Sequence, residues 1–167
     1  MNDYDWIVFD STGTLMTPSP EPALLYQQVA ERAGSRQNLD ETRTYLRSAI
    51  VRHFFEENAD RETDETFELT RWRRLVADAL PDLSGQELDA AFEELWHRFA
   101  SAQCWRLFDD VLPTLQRLQQ KDYRIAVASK FDGRLAKIIR DMQIESNFDE
   151  ILISSHLGWC KPDPTYY

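Results

Sequence analysis

Cysteine and histidine are scarce in this chain: two and three residues among 167. Cys104 and Cys160 form no CxxC pair and read as free thiols of a reducing compartment, with a single disulfide as the alternative. His53, His97 and His156 are scattered, and no zinc site can be read from them. No apolar run reaches the roughly 18 residues that a membrane-spanning helix needs. The first residues, Met1-Asn2-Asp3-Tyr4-Asp5, are acidic rather than basic. The expectation is therefore a cytoplasmic protein with neither a membrane span nor a signal peptide. Positive charge is also short. Nineteen Lys and Arg against 29 Asp and Glu leave a net −10 at pH 7, which argues against nucleic acid or an anionic membrane as partner. No internal repeat or low-complexity segment is present. Hydrophobic residues make up 43% of the chain, enough for a core, and the length suits one domain or a core with a modest insertion.

What is present starts with Trp6-Ile7-Val8-Phe9, a run short enough for a buried parallel strand covered on both faces. Asp10 ends it and opens the turn Ser11-Thr12-Gly13-Thr14-Leu15. A carboxylate at a strand's C-terminal end sits where open α/β sheets place their ligands. The chemistry on offer is a nucleophilic or metal-binding Asp, with hydroxyls and backbone N–H groups nearby to hold a phosphate. The plainer reading of that segment alone is an Asp that caps the next turn.

Pro18, Pro20 and Pro22 then predict a stiff linker, excluding both helix interior and paired strand. From about Ala23 to Ala102 the apolar spacing is helical. Leu24, Leu25, Val29 and Ala33 make one face, closed by Gly34; Leu46, Ile50, Phe54 and Phe55 make a second. Phe67, Trp72, Leu75, Val76 and Leu80 make a third, stopped by Pro81. Ser84 with Glu87 fits a capping box that opens a fourth through Leu88, Phe92, Leu95, Trp96 and Phe99. The acidic run Glu56–Glu62 reads as a solvated loop. In Arg71-Trp72-Arg73-Arg74, Trp72 is expected inward and the arginines paired with acidic neighbours, and Trp96, Phe99 and Trp105 read as packing rather than as a ligand box.

Strand and helix alternate again after Trp105. Asp110–Gln120 reads as an amphipathic helix, Tyr123–Ser129 as a strand, Gly133–Met142 as a helix and Ile151–Ser154 as a third strand. The fold class expected is α/β: a Rossmann-like parallel core, residues 1–18 and 106–167, with an all-helical cap inserted at 19–105. Parallel strands bring Asp10 with Thr12 and Thr14, then Ser129, and the loop bearing Lys161 to one sheet edge. A carboxylate, a hydroxyl and an ammonium converging there make a phosphate site.

These segments resemble the haloacid dehalogenase-like hydrolases, in the subgroup whose helical cap follows the first motif. That family's Asp-x-Asp-Gly-Thr-Leu reads here Asp10-Ser11-Thr12-Gly13-Thr14-Leu15. Its strand ending in Ser or Thr reads Ser129-Lys130-Phe131-Asp132, and its Gly-x-x-Lys-Pro-Asp-Pro reads Gly158-Trp159-Cys160-Lys161-Pro162-Asp163-Pro164. The resemblance implies hydrolysis of a small phosphorylated molecule through an aspartyl-phosphate. Asp10 would be the nucleophile, and Mg²⁺ would lie on Asp10 and the backbone carbonyl of Thr12. Ser129 and Lys161 would hold the phosphoryl oxygens, Gly13 would permit the turn and Thr14 would brace it, with Ser11 beside them.

The chain departs from the pattern in three ways. Thr12 stands where the family carries the Asp that protonates the leaving group and then activates water, a loss worth ~10²–10⁴ in rate. Thr also occupies this place in ion-pumping ATPases of the superfamily, and dehalogenases carry Tyr there. Lys130 replaces the usual Asn; either it adds a cation to the phosphate or it points outward. The family's acidic fourth motif is absent, so a truncated core is expected, with the Trp6–Phe9 strand as an apolar edge covered by self-association or a partner. Two further readings stay open: a catalytically degenerate binding or assembly module, and metal-free dehalogenase-type chemistry.

Overall fold

A three-stranded parallel sheet stands behind Asp10 in the computed structural model, which describes residues 5–56 and 62–166. The strands in chain order are β1 (Trp6–Phe9), β2 (Met16–Pro18), β3 (Trp105–Leu107), β4 (Arg124–Ser129) and β5 (Glu150–Ile153). The α-helices are α1 (Pro22–Arg32), α2 (Leu39–Ile50), α3 (Glu65–Ala79), α4 (Gly85–Phe99), α5 (Val111–Gln119), α6 (Arg134–Asp141) and α7 (Ser154–Leu157). The main sheet has the order β1-β4-β5, with Phe9 opposite Val127 and Ser129 opposite Ile153. This is the α/β, Rossmann-like arrangement, and the parallel register carries the ends of β1 and β4 to one edge. Among the described residues, no helix is long and apolar enough to cross a membrane.

β4 is central and buried from Ile125 to Ser129, as its small and β-branched residues allow. β1 lies at the outer position of the described sheet, the edge position expected of it, and is therefore not the strand covered on both faces that its apolar run alone suggests: Trp6 is 37% and Val8 49% exposed while Ile7 and Phe9 are half-buried. An edge strand alternates its faces, so an unbroken apolar run is not covered throughout. Part of the exposed face is sheltered from outside the run: the Arg124 guanidinium lies 4.0 Å from the centre of the Trp6 ring.

The proline-rich stretch is also different from the expected linker. Met16–Pro18 pairs antiparallel with Trp105–Leu107, Pro18 standing opposite Trp105 at the strand end. In a two-stranded ribbon a terminal proline removes no bond that the ladder needs. Pro22 opens α1, where its missing N–H would have had no helical partner.

Helices α1 to α4 lie between the two strands of that ribbon. α2 starts on a capping box: the Asn38 side chain accepts from Asp40 and Glu41 N–H at 3.0 Å, and Glu41 accepts from Asn38 N–H at 2.9 Å. The box expected at Ser84 is not made; Ser84 sits at the N-cap of α4 without a side-chain bond, and Gly85 takes φ +53°. α2 runs on into a π-helical turn, Val51–Glu56. The wider turn shifts the helical phase, which leaves Phe55 70% exposed rather than on the inward face with Phe54. Of the acidic run that follows, residues 57–61 lie outside the described residues. Trp72 packs edge-on against Phe54, with ring centres 5.4 Å apart, and stacks on Phe99 at 6.4 Å. The remaining boundaries move by a residue or so, and Ser154, expected to end a strand, opens the short α7 instead.

Candidate active site

The turn after β1 folds back on itself. The Ser11 carbonyl accepts from Leu15 N–H at 2.9 Å and Met16 N–H at 3.0 Å, and Gly13 N–H donates to the Met16 carbonyl at 2.8 Å. Gly13 holds φ +86°, a left-handed value that a residue with a Cβ rarely adopts. Ser11 and Ser129, each at the end of a parallel strand, meet through their hydroxyl oxygens at 2.5 Å in a buried contact. That bond ties the turn to the end of β4. The Ser129 carbonyl in turn accepts from the Ser154 hydroxyl at 3.1 Å.

Lys161 arrives from the loop beyond α7. Its ammonium donates to Asp10 Oδ1 at 2.7 Å and to the Ala128 carbonyl at 2.7 Å, so the Lys161 Nζ bridges the ends of β1 and β4. The carbonyl fixes the lysine, and the charge pair holds Asp10 at the mouth of a cavity of about 470 Å³. Asp10, Thr12, Ser129, Lys130 and Lys161 all line this cavity. Lys130 lines the cavity beside Ser129. Ser11 does not reach the wall, because its hydroxyl is spent on Ser129. Gly13 and Thr14 lie exposed in the turn, and Thr14 joins the loop through its backbone N–H, 3.4 Å from the Ser11 carbonyl. Ser11, Gly13 and Thr14 shape the turn. Cys160, beside Lys161, is buried, and burial pushes its thiol up, so it stays protonated near neutrality. Both cysteines are free.

Among the described residues, no group of three His, Cys, Asp or Glu lies close enough to hold a metal ion. Asp10 and the Thr12 carbonyl offer two hard oxygen donors. Mg²⁺ is commonly held by one or two carboxylates with phosphate oxygens and waters in its other positions. Asp10 and Thr12, which line one cavity, supply a carboxylate and a carbonyl of the hard-oxygen kind that such an ion takes.

The rest of the cavity is largely aromatic, which the sequence does not show as a wall. Tyr26, Phe54, Phe55, Trp72, Phe99, Trp105 and Phe131 contribute to its wall. Phe99 and Trp105 were expected to serve packing, and they do pack together with ring centres 6.3 Å apart, but they also face the cavity. Tyr26 is fully buried, and burial pushes its phenol well above the ordinary value although Arg134 works against it. Two arginines of α3 pair with acidic neighbours, as expected: Arg71 with buried Glu68 and Arg73 with Asp89. Burial pushes the Glu68 carboxyl up, with Arg71 opposing that shift.

Asp132 and Arg134 were also missed as a pair. Both are buried, and the Arg134 Nε and Nη2 donate to the two Asp132 oxygens at 2.8 and 2.7 Å. The same guanidinium lies 3.5 Å from the centre of the Trp96 ring and 4.9 Å from that of Trp72. One side chain from the start of α6 thus reaches the aromatic residues of α3 and α4. Asp132 stands in the stretch that follows Ser129 and could have been singled out there; Arg134 carries no such sequence signal.

A carboxylate at the end of one parallel strand, met by an ammonium and with a hydroxyl at the next strand end, defines a hydrolase-type α/β protein centred on an aspartate. Residues 4–167 match the model of the haloacid dehalogenase-like hydrolases, and the chain belongs to that family. It is 33% identical over 75 residues to haloacid dehalogenase-like hydrolase domain-containing protein 3 of Bos taurus, a match taking in 45% of this chain and 30% of that protein. The chain thus meets less than a third of that relative's length. Against the protein of the same description from Danio rerio it is 25% identical, over 97% of this chain and 68% of that one. Solved structures share the fold at lower identity. A predicted phosphoglycolate phosphatase of Haemophilus somnus superposes with TM-score 0.64 at 20% identity, covering 97% of this chain and 68% of that one. L-2-haloacid dehalogenase of Xanthobacter autotrophicus, with chloropropionic acid covalently bound, gives 0.63 at 18%, covering 98% and 62%. A haloacid dehalogenase-type hydrolase of Bacillus subtilis bound to magnesium gives 0.64 at 17%, covering 98% and 70%.

Proposed function

We propose that this chain carries the site of a phosphatase-type hydrolase that acts on a small phosphorylated molecule through an aspartyl-phosphate on Asp10. The observation that supports it most is the Lys161 ammonium, 2.7 Å from Asp10 Oδ1, in a cavity that Ser129 also lines. A carboxylate oxygen of Asp10 attacks phosphorus, the ester P–O bond breaks, and its electron pair leaves with the alcohol oxygen. Water then cleaves the acyl phosphate and frees Asp10. The Lys161 ammonium sets a positive charge beside the Asp10 carboxylate in the wall, which favours the arrival of a phosphate dianion. The Ser129 hydroxyl and Lys161 take the phosphoryl oxygens. Mg²⁺, held by Asp10 and the Thr12 carbonyl, would offset the charge between carboxylate and phosphate when bound. The magnesium of the Bacillus subtilis relative supports that choice of ion, and the two free thiols suit a reducing, cytoplasmic setting.

Thr12 favours a second reading, a binding module that retains the phosphate site without turnover, because a hydroxyl neither delivers nor takes a proton near neutrality. Hydrolysis of an aryl phosphate by the wild type and by Asp10→Asn separates the two. The proposed reaction requires Mg²⁺-dependent turnover that falls by about 10³ or more in the variant, since the nucleophile is gone. Phosphate binding without turnover in either protein would select the module.

A further inference from the structure

Two independent features of the cavity narrow the substrate. The first is its wall. Away from the polar end formed by Asp10, Thr12, Ser129, Lys130 and Lys161, the described wall residues are Pro18, Pro22, Leu46 and Ile50 with the aromatic side chains already named. None of these carries a charge, and the polar groups among them belong to Tyr26, which is fully buried, and to Trp72 and Trp105. The Trp105 N–H is already donated to the Phe99 carbonyl at 3.1 Å. A sugar or nucleotide bound there would have to bury hydroxyls against ring faces, and each hydroxyl left without a partner is costly. An apolar, flat group gains from the same wall, and the volume of about 470 Å³ admits a fused ring system beside a phosphate.

The second feature is Thr12. It faces the same cavity, and it brings a hydroxyl where the family brings the carboxyl that protonates the departing oxygen. An alkoxide leaves only when a proton is delivered to it. A phenolate, whose conjugate acid has a pKa of about 10, departs with the P–O electron pair and is protonated afterwards by water.

We infer that the substrate is a phosphate monoester of an aromatic alcohol: an uncharged, flat aryl group in the aromatic half of the cavity and the phosphate at Asp10 and Lys161. The inference rests on the proposed reaction for the fate of the ester bond, but the apolar half of the site can be read without turnover. The reaction balances as above: Asp10 oxygen to phosphorus, aryl oxygen out with its electron pair, then water in to release inorganic phosphate.

The test has a kinetic and a binding arm, both on the whole chain. In the first, kcat/KM for 1-naphthyl phosphate exceeds that for glycerol 3-phosphate by about 100-fold or more, as burial of a ring system allows. Among substituted phenyl phosphates the rate rises steeply as the leaving phenol becomes more acidic, and Thr12→Asp flattens that dependence. In the second, 1-naphthylmethylphosphonate, which has no ester bond to break, quenches tryptophan fluorescence and binds at least tenfold more tightly than methylphosphonate. Phe55→Gln, at an exposed position where folding is not at stake, weakens that binding several-fold, and Phe55→Leu restores most of it. Equal or better use of the polyol ester, or phosphonate binding that ignores both the ring and Phe55, would overturn the inference. Absence of turnover on every ester with the binding preference intact would overturn the proposed reaction and leave the aromatic ligand standing.

Discussion

Thr12→Asp raises the rate of phosphate-ester hydrolysis by ~10²–10⁴, the range general acid–base catalysis contributes. Thr12 lines the cavity with Asp10, so a carboxyl there would face the oxygen that leaves. A carboxylic acid gives up its proton near neutrality and its anion can then take one from water, and a threonine hydroxyl does neither. The backbone carbonyl of residue 12 is untouched by the change, so an effect through loss of that metal donor is not expected. Steady-state rates across pH provide the check, because the variant should gain an ionisation that the wild type lacks. The gain is largest for esters of poorly acidic alcohols, where protonation of the leaving oxygen matters most. A variant no faster than wild type on any ester would mean that proton delivery is not what Thr12 withholds.

Asp132→Ala destabilises the chain by about 3–5 kcal/mol, the usual cost of removing one partner of a buried ion pair. Asp132 is fully buried, and Arg134 is held through two side-chain bonds at 2.8 and 2.7 Å. With the carboxylate gone, the guanidinium is left among Trp72, Trp96 and Phe131, which supply ring faces but no acceptor. Urea denaturation measures the loss. Replacing both partners, Asp132→Asn with Arg134→Met, recovers most of it, since an apolar side chain of similar length fits the aromatic slot without a buried charge. A single variant that loses less than about 1 kcal/mol would show that solvent reaches the pair.

The order of strands and helices was legible because parallel strands and amphipathic helices have distinct periods, and because polar residues mark the strand ends where ligands bind. Asp10, Ser129 and Lys161 could be brought together for that reason, although Asp10 lies more than a hundred positions from the other two. What could not be read depended on contacts between distant elements. The ribbon of β2 with β3 hides behind prolines that normally argue against pairing, and only the partner strand shows that Pro18 needs no ladder bond. Ser11 carries the same hydroxyl as Ser129, yet it turns inward because the fold offers it that residue as a partner. The exposed position of Phe55 follows from a π-helical turn that periodicity at 3.6 residues does not anticipate. The aromatic wall was visible as residues but not as a wall, since packing and ligand binding ask for the same side chains.

Acid-quenched wild type, incubated with Mg²⁺ and 1-naphthyl phosphate and digested for mass spectrometry, tests the central claim most directly. The account predicts a phosphoryl group on the peptide carrying Asp10, attached to that carboxylate and absent from Asp10→Asn. Turnover of the ester with no phosphorylated Asp10 at any quench time, or with the adduct on another residue, would contradict it.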